Sequence, residues 1–175
     1  MENKMLLEED QISVITFQVG GEEFVIDLLN VKEIIQTGQI RRLPRSYDFI
    51  EGIYNYRGNI IHIINLKKKL NLGEMNLYNK SKQLDMTLED DKKFIIIVNI
   101  KNMDIGFYVD KIVNISNILV DDIVGLSPVI QTNLSNIDYI NGIVKFEDKP
   151  RIFIDLHRIL SDAERVTIEK DQVTF

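Results

Sequence analysis

The two histidines come first among residues that could do chemistry, because imidazole serves both as a general base and as a metal ligand. The 175-residue chain holds only His62 and His157, and it has no cysteine. With only two histidines a histidine-built zinc site or a catalytic triad is hard to assemble, and the missing thiols exclude disulfides and cysteine nucleophiles. His62 interrupts an apolar strand and His157 lies in a helical segment, so structural roles are favoured for both.

Carboxylates cluster at two places, Glu89-Asp90-Asp91 and Asp121-Asp122. Both runs lie in polar segments without a nearby histidine, which is typical of solvated surfaces. The signatures of serine hydrolases, zinc proteases, P-loop proteins and dinucleotide-binding proteins are all absent. The residues therefore predict a protein that is not an enzyme and that uses no cofactor and no metal.

The composition narrows the class of partner. A net charge of −6 and a pI near 5.0 argue against nucleic acid, because phosphate binding needs a positive surface. The opening MENKMLLEED lacks the apolar centre of a secretory signal, and no apolar run reaches the roughly 18 residues of a membrane span. We therefore expect a cytoplasmic protein without direct membrane insertion.

Alternating apolar and polar residues predict strands along most of the chain. In the first half they predict a hairpin over residues 12–27 with its turn at Gly20-Gly21, one helical turn passing into a strand over 28–36, and a second hairpin over 49–66. In the second half they predict strands at 94–100, 103–110, 137–146 and 151–156. A C-terminal helix is predicted over 156–165, with a frayed tail after it.

An internal repeat is the most useful structural signal. A shift of 90 residues aligns 49–70 with 139–160 without a gap, and a shift of 83 aligns the earlier hairpins. This ordered register predicts a duplication into two similar all-β halves, each a small barrel. The matched pairs include Phe49/Tyr139, Gly52/Gly142, Ile64/Ile154, Asn65/Asp155 and Phe24/Phe107.

Two stretches of the first half carry a family resemblance. FVID at 24–27 is followed by VKEI at 31–34, and a later block runs from Gly52 through Asn55, Arg57 and Gly58 to Leu66. The segments at 106–112 and 139–160 match as well. Together they resemble the CheW family of bacterial chemotaxis coupling proteins, over residues 10–162.

The resemblance implies a mainly all-β fold of two SH3-like five-stranded β-barrel subdomains packed together, with a short C-terminal helix. We place the subdomains at about residues 12–70 and 94–160, joined by a loop over 71–93 and followed by a tail over 163–175. His62 departs from the proline that the family usually has there, and the loop is longer than in many members.

The resemblance also implies a function. Such proteins are non-enzymatic adaptors that couple the cytoplasmic tips of chemoreceptors to the regulatory domain of the histidine kinase CheA. They lie in receptor arrays at the cytoplasmic face of the membrane, where self-association in rings is a further expectation. The implied receptor-binding residues are Ile15, Leu28, Val31, Glu33, Ile34, Arg57 and Val113. The implied kinase-binding residues are Ile40, Leu43, Phe49 and Ile50.

Several alternatives stay open at this point. The same domain would serve an adaptor of a pilus or gliding chemosensory system, and an enzyme with an unrecognised site is a further alternative. A coupling half that carries a receiver domain is disfavoured, because only about 13 residues follow Asp162. The basic stretches RRLPR (41–45) and KKK (67–69) are explained by solubility or, alternatively, by a local contact with an acidic helix of a partner.

Overall fold

The computed structural model describes residues 10–44, 46–72, 92–126 and 138–173 of the chain. The predicted carboxylate cluster Glu89-Asp90-Asp91 and most of the predicted 71–93 loop lie outside these residues. Within the described part the chain is mainly β, as predicted, with two sheets and a C-terminal helix. No helix in this part is long and apolar enough to cross a membrane.

The elements follow one another in this order. The strands are β1 (Gln11–Val19), β2 (Glu22–Asp27), β3 (Glu33–Gln36), β4 (Ile50–Tyr56), β5 (Asn59–Asn65), β6 (Phe94–Ile100), β7 (Met103–Val109), β8 (Lys111–Leu119), β9 (Ile123–Val124), β10 (Ile140–Val144) and β11 (Arg151–Ile154). The helices are α1 (Leu66–Lys69) and α2 (Asp162–Val173). Short 3₁₀ turns span Leu28–Asn30, Val120–Asp122 and Leu156–Arg158.

The predicted hairpins form where the chain can adopt positive φ. Gly20 and Gly21, at φ 58° and 83°, connect β1 to β2, and Arg57 and Gly58, at 51° and 84°, connect β4 to β5. Two-residue turns of this kind match the twist of antiparallel strands. The predicted helical turn and strand over 28–36 are also confirmed, because the turn Leu28–Asn30 leads into β3.

Each sheet combines strands from both halves of the chain. The six-stranded sheet has the order β8-β1-β2-β11-β10-β9, and the five-stranded sheet has the order β3-β6-β7-β5-β4. The predicted boundaries 12–70 and 94–160 are therefore wrong as folding units, although two β subdomains are present. Strand β6 is buried along most of its length and needs a neighbour on each side, which β3 and β7 provide.

The positions aligned by the 90-residue shift are structurally equivalent. The Asn65 N–H donates to the Phe49 carbonyl over 2.6 Å, and the Asp155 N–H donates to the Tyr139 carbonyl over 2.7 Å. Strand β5 runs parallel to β7, and β11 runs parallel to β2. The predicted equivalence of the two hairpins is thus confirmed, and the two halves have exchanged their first hairpins.

Three hydrophobic clusters hold this arrangement. The largest, the inter-sheet cluster, draws residues from both sheets and includes the fully buried rings of Phe17 and Phe107. A second cluster around Val25 belongs to the six-stranded sheet, and a third around Ile95 belongs to the five-stranded sheet. Each sheet therefore has its own core, and a shared core joins the two.

The C-terminal helix begins later than predicted. Residues 156–158 form a 3₁₀ turn, and α2 starts at Asp162 because Ser161 and Glu164 bond reciprocally, each accepting a backbone N–H of the other. The tail after 163 does not fray up to Val173, since Ile168 is fully buried in the inter-sheet cluster. His157 consequently lies in the exposed 3₁₀ turn and not on the helix.

Candidate functional site

The two histidines lie in contrasting environments, His62 within β5 and His157 in an exposed position of a 3₁₀ turn. Among the described residues no three His, Asp or Glu side chains converge as they would around a metal ion. His62 is fully buried, and neither ring nitrogen has a hydrogen-bond partner among the described residues. Burial lowers the pKa of His62, while Asp171, 3.9 Å from Nε2, opposes the shift. The ring is neutral at neutral pH and has no access to a substrate.

The predicted apolar receptor residues lie mostly on the inter-sheet cluster. Leu28 and Val31, from the segment between β2 and β3, and Ile34 in β3 are partly buried and pack against it. Ile15 belongs to the same cluster but is 0% exposed, since β1 lies inside its sheet between β8 and β2. It therefore supports this surface from below, and its side chain is not exposed for the direct receptor contact that the resemblance implies.

Ile115, the neighbour of Ile15 on the adjacent strand, is exposed at the surface. Ile115 on the edge strand β8 pairs directly with Ile15, and paired residues of an antiparallel ladder share a face. Ile115 is 58% exposed, and Val113, at a register shift of the same ladder, is 38% exposed. We define the apolar edge as Leu28, Leu29, Val31, Ile34, Val113 and Ile115.

Leu29 is the most exposed large apolar residue of the described chain, at 90%. Within the 3₁₀ turn, Leu28 packs against the inter-sheet cluster and Leu29 is left exposed to solvent. Asp27 fixes this turn, because its carboxylate accepts the Leu29 N–H over 2.9 Å. Sequence reasoning missed Leu29, and its only signal was the apolar pair Leu28-Leu29 directly after a capping aspartate.

Glu33 and Arg57, the two predicted polar receptor residues, contact each other. Arg57 Nη2 lies 3.0 Å from Glu33 Oε2, and the Tyr56 hydroxyl donates a hydrogen bond to the same oxygen. This hydrogen bond is the first cause of the raised pKa of Tyr56, with burial second. The Arg57 guanidinium also lies 5.3 Å from the centre of the Tyr56 ring, a cation–π distance.

A second ion pair lies beside this tyrosine. Lys32 Nζ lies 2.7 Å from Asp104 Oδ2 and 5.8 Å from the Tyr56 ring centre. Partial burial raises the pKa of Asp104, but hydrogen bonds from Lys32 and Asn99 outweigh it and hold the pKa below its usual value. Neither Lys32 nor Asp104 was predicted as a site residue, because their pairing joins distant parts of the chain.

The predicted kinase-binding residues divide into two groups. Ile40 packs on the core of the five-stranded sheet, and Ile50 is a buried member of the inter-sheet cluster. Leu43 and Phe49 are partly buried and line a surface groove. The structure thus brings Leu43 and Phe49 to a surface and leaves the other two as supports.

Two β subdomains share a core, and the surface carries both exposed apolar side chains and ion pairs. These features are typical of a protein-interaction module. A family model agrees with this class. The CheW-like domain matches residues 13–164, and the chain belongs to that family.

Individual relatives cover nearly the whole chain. A protein named Chemotaxis protein CheW from Treponema pallidum (strain Nichols) is 30% identical over 163 residues, covering 91% of this chain and 88% of the relative. A second protein of that name, from Thermotoga maritima, is 26% identical and covers 91% of this chain and 93% of the relative. The crystal structure of the scaffolding protein TtCheW from Thermoanaerobacter tengcongensis matches with a TM-score of 0.70 at 28% identity, over 89% of this chain and 96% of that chain.

Proposed function

We propose that the protein is a non-catalytic coupling adaptor of a bacterial chemosensory pathway, which joins chemoreceptor tips to the histidine kinase CheA. The observation that carries the proposal is the match of the CheW-like domain to residues 13–164. Relatives named as chemotaxis proteins and a structural neighbour named as a scaffolding protein support it. In this role the protein lies at the cytoplasmic face of the membrane within receptor arrays. There, copies of it associate in rings that also contain the kinase.

The apolar edge suits the receptor contact. A receptor tip is a helical hairpin, and an amphipathic helix needs an apolar surface with polar groups beside it. Leu29 and Ile115 offer the apolar side chains. The polar group is the Glu33–Arg57 ion pair, whose Glu33 starts β3, close in sequence to Leu29. Contacts of this kind are individually weak, and an array supplies the avidity.

The kinase contact is assigned to Leu43 and Phe49, with Ile40 and Ile50 behind them. Leu43 lies in the connection between β3 and β4, where the Ser46 hydroxyl donates to its carbonyl over 2.8 Å. Leu43→Asp would place a carboxylate in this partly apolar contact, and burying an unpaired charge costs several kcal/mol. The mutation should weaken kinase binding while the receptor contact is retained.

Co-sedimentation tests the proposal. The protein is mixed with receptor-containing membranes and CheA, and the pelleted fraction of each component is measured. We expect the protein to pellet with receptor membranes alone and to raise the pelleted fraction of CheA. A protein that stays in the supernatant with and without CheA would refute the proposal.

A further inference from the structure

A positively charged groove lies between the β3–β4 connection and the end of β5. It consists of two adjoining depressions with volumes of about 740 Å³ and 190 Å³, which share Asp48 and Lys68 in their walls. We call it the basic groove, and its charged lining is Arg42, Asp48, Glu51, Lys67, Lys68 and Lys69. The groove therefore unites the two basic stretches that are 25 residues apart in sequence, counted from Arg42 to Lys67.

Three cations of the basic groove lack an ion-pair partner within the described part of the chain. Arg42, Lys67 and Lys68 form no ion pair with any residue that the structure describes. Elsewhere, Lys32 and Lys93 each lie 2.7 Å from a carboxylate. On a chain with a net charge of −6, adjacent cations left unneutralised favour a ligand that carries negative charge.

An aromatic pair lines the same groove. The rings of Tyr47 and Phe49 stack with centroids 5.1 Å apart, and Tyr47 is 38% exposed. The Lys69 ammonium lies 4.4 Å from the Phe49 ring centre while it pairs with Glu164, so this lysine is already occupied. Exposed tyrosine beside cations is typical of a surface that binds mixed apolar and acidic side chains.

The two carboxylates of the groove, Asp48 and Glu51, restrict the class of ligand that it can bind. Asp48 lies where the two depressions meet, and Glu51 lies in the narrower one, where it accepts a hydrogen bond from Asn65. A nucleic-acid backbone or an anionic lipid surface presents continuous negative charge, which these carboxylates would repel. A polypeptide can place its acidic residues at the three free cations and a neutral residue at Asp48.

We propose that the basic groove binds an acidic segment of a partner polypeptide, with an apolar side chain of that segment against the Tyr47–Phe49 pair. The source of the segment rests on the proposed function: Leu43 and Phe49, assigned there to the kinase contact, line the groove, so the proposed partner is the regulatory domain of CheA. The binding at this site is driven by charge as well as by apolar contact, and it weakens as salt screens the charges.

Charge reversal with a salt titration tests this inference. The binding of the isolated CheA regulatory domain to the wild type and to an Arg42→Glu/Lys68→Glu double variant is measured by fluorescence anisotropy. The control is Lys145→Glu, an exposed lysine outside the groove that also has no ion pair to a described residue. We expect the double variant to bind about tenfold or more weakly, and the control to stay within about twofold.

Added salt should weaken binding of the kinase regulatory domain to the wild type but not to the double variant. Raising NaCl from about 0.05 M to about 0.5 M shortens the screening length to about 4 Å and should weaken wild-type binding several-fold. The same change should not weaken binding of the double variant, because its reversed charges repel an acidic segment and salt screens that repulsion. Equal affinity of the wild type and the folded double variant, without salt dependence, would overturn the inference and leave the proposed function standing. A thermal melt establishes that the double variant is folded.

If the kinase domain does not bind at all, the proposed function is refuted. A separate experiment with peptides then tests whether the basic groove binds acidic segments. A labelled twelve-residue peptide of alternating Glu and Leu is then titrated, beside its Lys and Leu counterpart and phosphatidylserine vesicles. Binding of the acidic peptide that is lost in the double variant supports the groove. Binding of neither peptide, or of the vesicles alone, overturns it.

Discussion

The guanidinium of Arg57 lies 3.0 Å from the carboxylate of Glu33 and so links the turn between β4 and β5 to the start of β3. The Arg57 side chain is 72% exposed, whereas Tyr56, which bonds the same carboxylate oxygen, is buried. The tyrosine hydrogen bond therefore anchors Glu33 in the structure. The arginine holds the charge at the surface, where a partner can reach it.

Arg57→Glu should impair receptor binding without unfolding the protein. An exposed ion pair is worth about 1 kcal/mol or less, so the free energy of unfolding should fall by no more than about that amount. The matched control is Arg158→Glu, which breaks the similarly exposed Arg158–Asp155 pair in a different region. Sedimentation with receptor membranes should drop for Arg57→Glu and not for the control. Equal sedimentation of both would contradict a role for Arg57.

Much of the fold follows from local sequence patterns. Gly20-Gly21 and the apolar runs around it predict the first hairpin, and the unbroken run 94–100 predicts a buried strand. Strand β8 was not predicted, because Asn114 and Asn117 interrupt its apolar residues and most of its side chains are exposed at a sheet edge. An edge strand buries too little of its surface to show a clear alternation.

The exchange of hairpins between the halves could not be predicted. A repeat register identifies equivalent residues, such as Asn65 and Asp155, but it does not say which strand pairs with which. The same limit applies to the candidate surfaces. The resemblance points to the region around Val31, yet only the pairing of Ile15 with Ile115 identifies an exposed side chain beside the buried Ile15.

Leu29→Asp offers a cleaner test of the apolar edge than Val31→Asp. Leu29 is 90% exposed, so its replacement should leave the melting temperature nearly unchanged. Val31 packs against the inter-sheet cluster, and losing its burial costs up to about 1.5–3 kcal/mol besides the desolvation of the carboxylate. Both variants should lose receptor sedimentation, and kinase-domain affinity should stay within about twofold for each.

Val166→Asp is the control for Leu29→Asp, since Val166 is an exposed apolar residue on α2, at 37%. It should leave receptor sedimentation unchanged. A folded Leu29→Asp protein that sediments with receptor membranes at wild-type strength would remove the apolar edge from the proposed receptor contact.

Gly52→Ala should destabilise the five-stranded sheet at the connection that carries Leu43. A Cβ at Gly52 would lie 2.0 Å from the Arg41 carbonyl oxygen, and the backbones of Arg41 and Ile53 bond each other at this point. Overpacking of this kind typically costs about 1–3 kcal/mol. Urea unfolding should show the loss for Gly52→Ala and none for Gly125→Ala, where a Cβ meets no atom within 4 Å. Equal unfolding midpoints for the two variants would contradict this reading of the contact.

His62 should make the stability of the protein depend on pH. Its pKa is lowered in the folded state because burial disfavours the charged ring, and Asp171 on α2 offsets this only in part. Its strand neighbours Ile53 and Ile105 are apolar. The unfolded chain takes up a proton below about pH 6.5, before the folded chain does, so the unfolded state binds more protons in that range. The stability is therefore fully present above about pH 6.5 and falls as the pH drops toward the folded pKa.

Replacing His62 by isoleucine isolates this contribution, because isoleucine occupies the aligned position 152 in the other half of the chain. Urea unfolding at several pH values between about 7.5 and 5.5 should show the wild type losing stability relative to His62→Ile as the pH falls. Parallel pH profiles for the wild type and His62→Ile would contradict the prediction, since the buried ring would then titrate alike in the folded and unfolded chains.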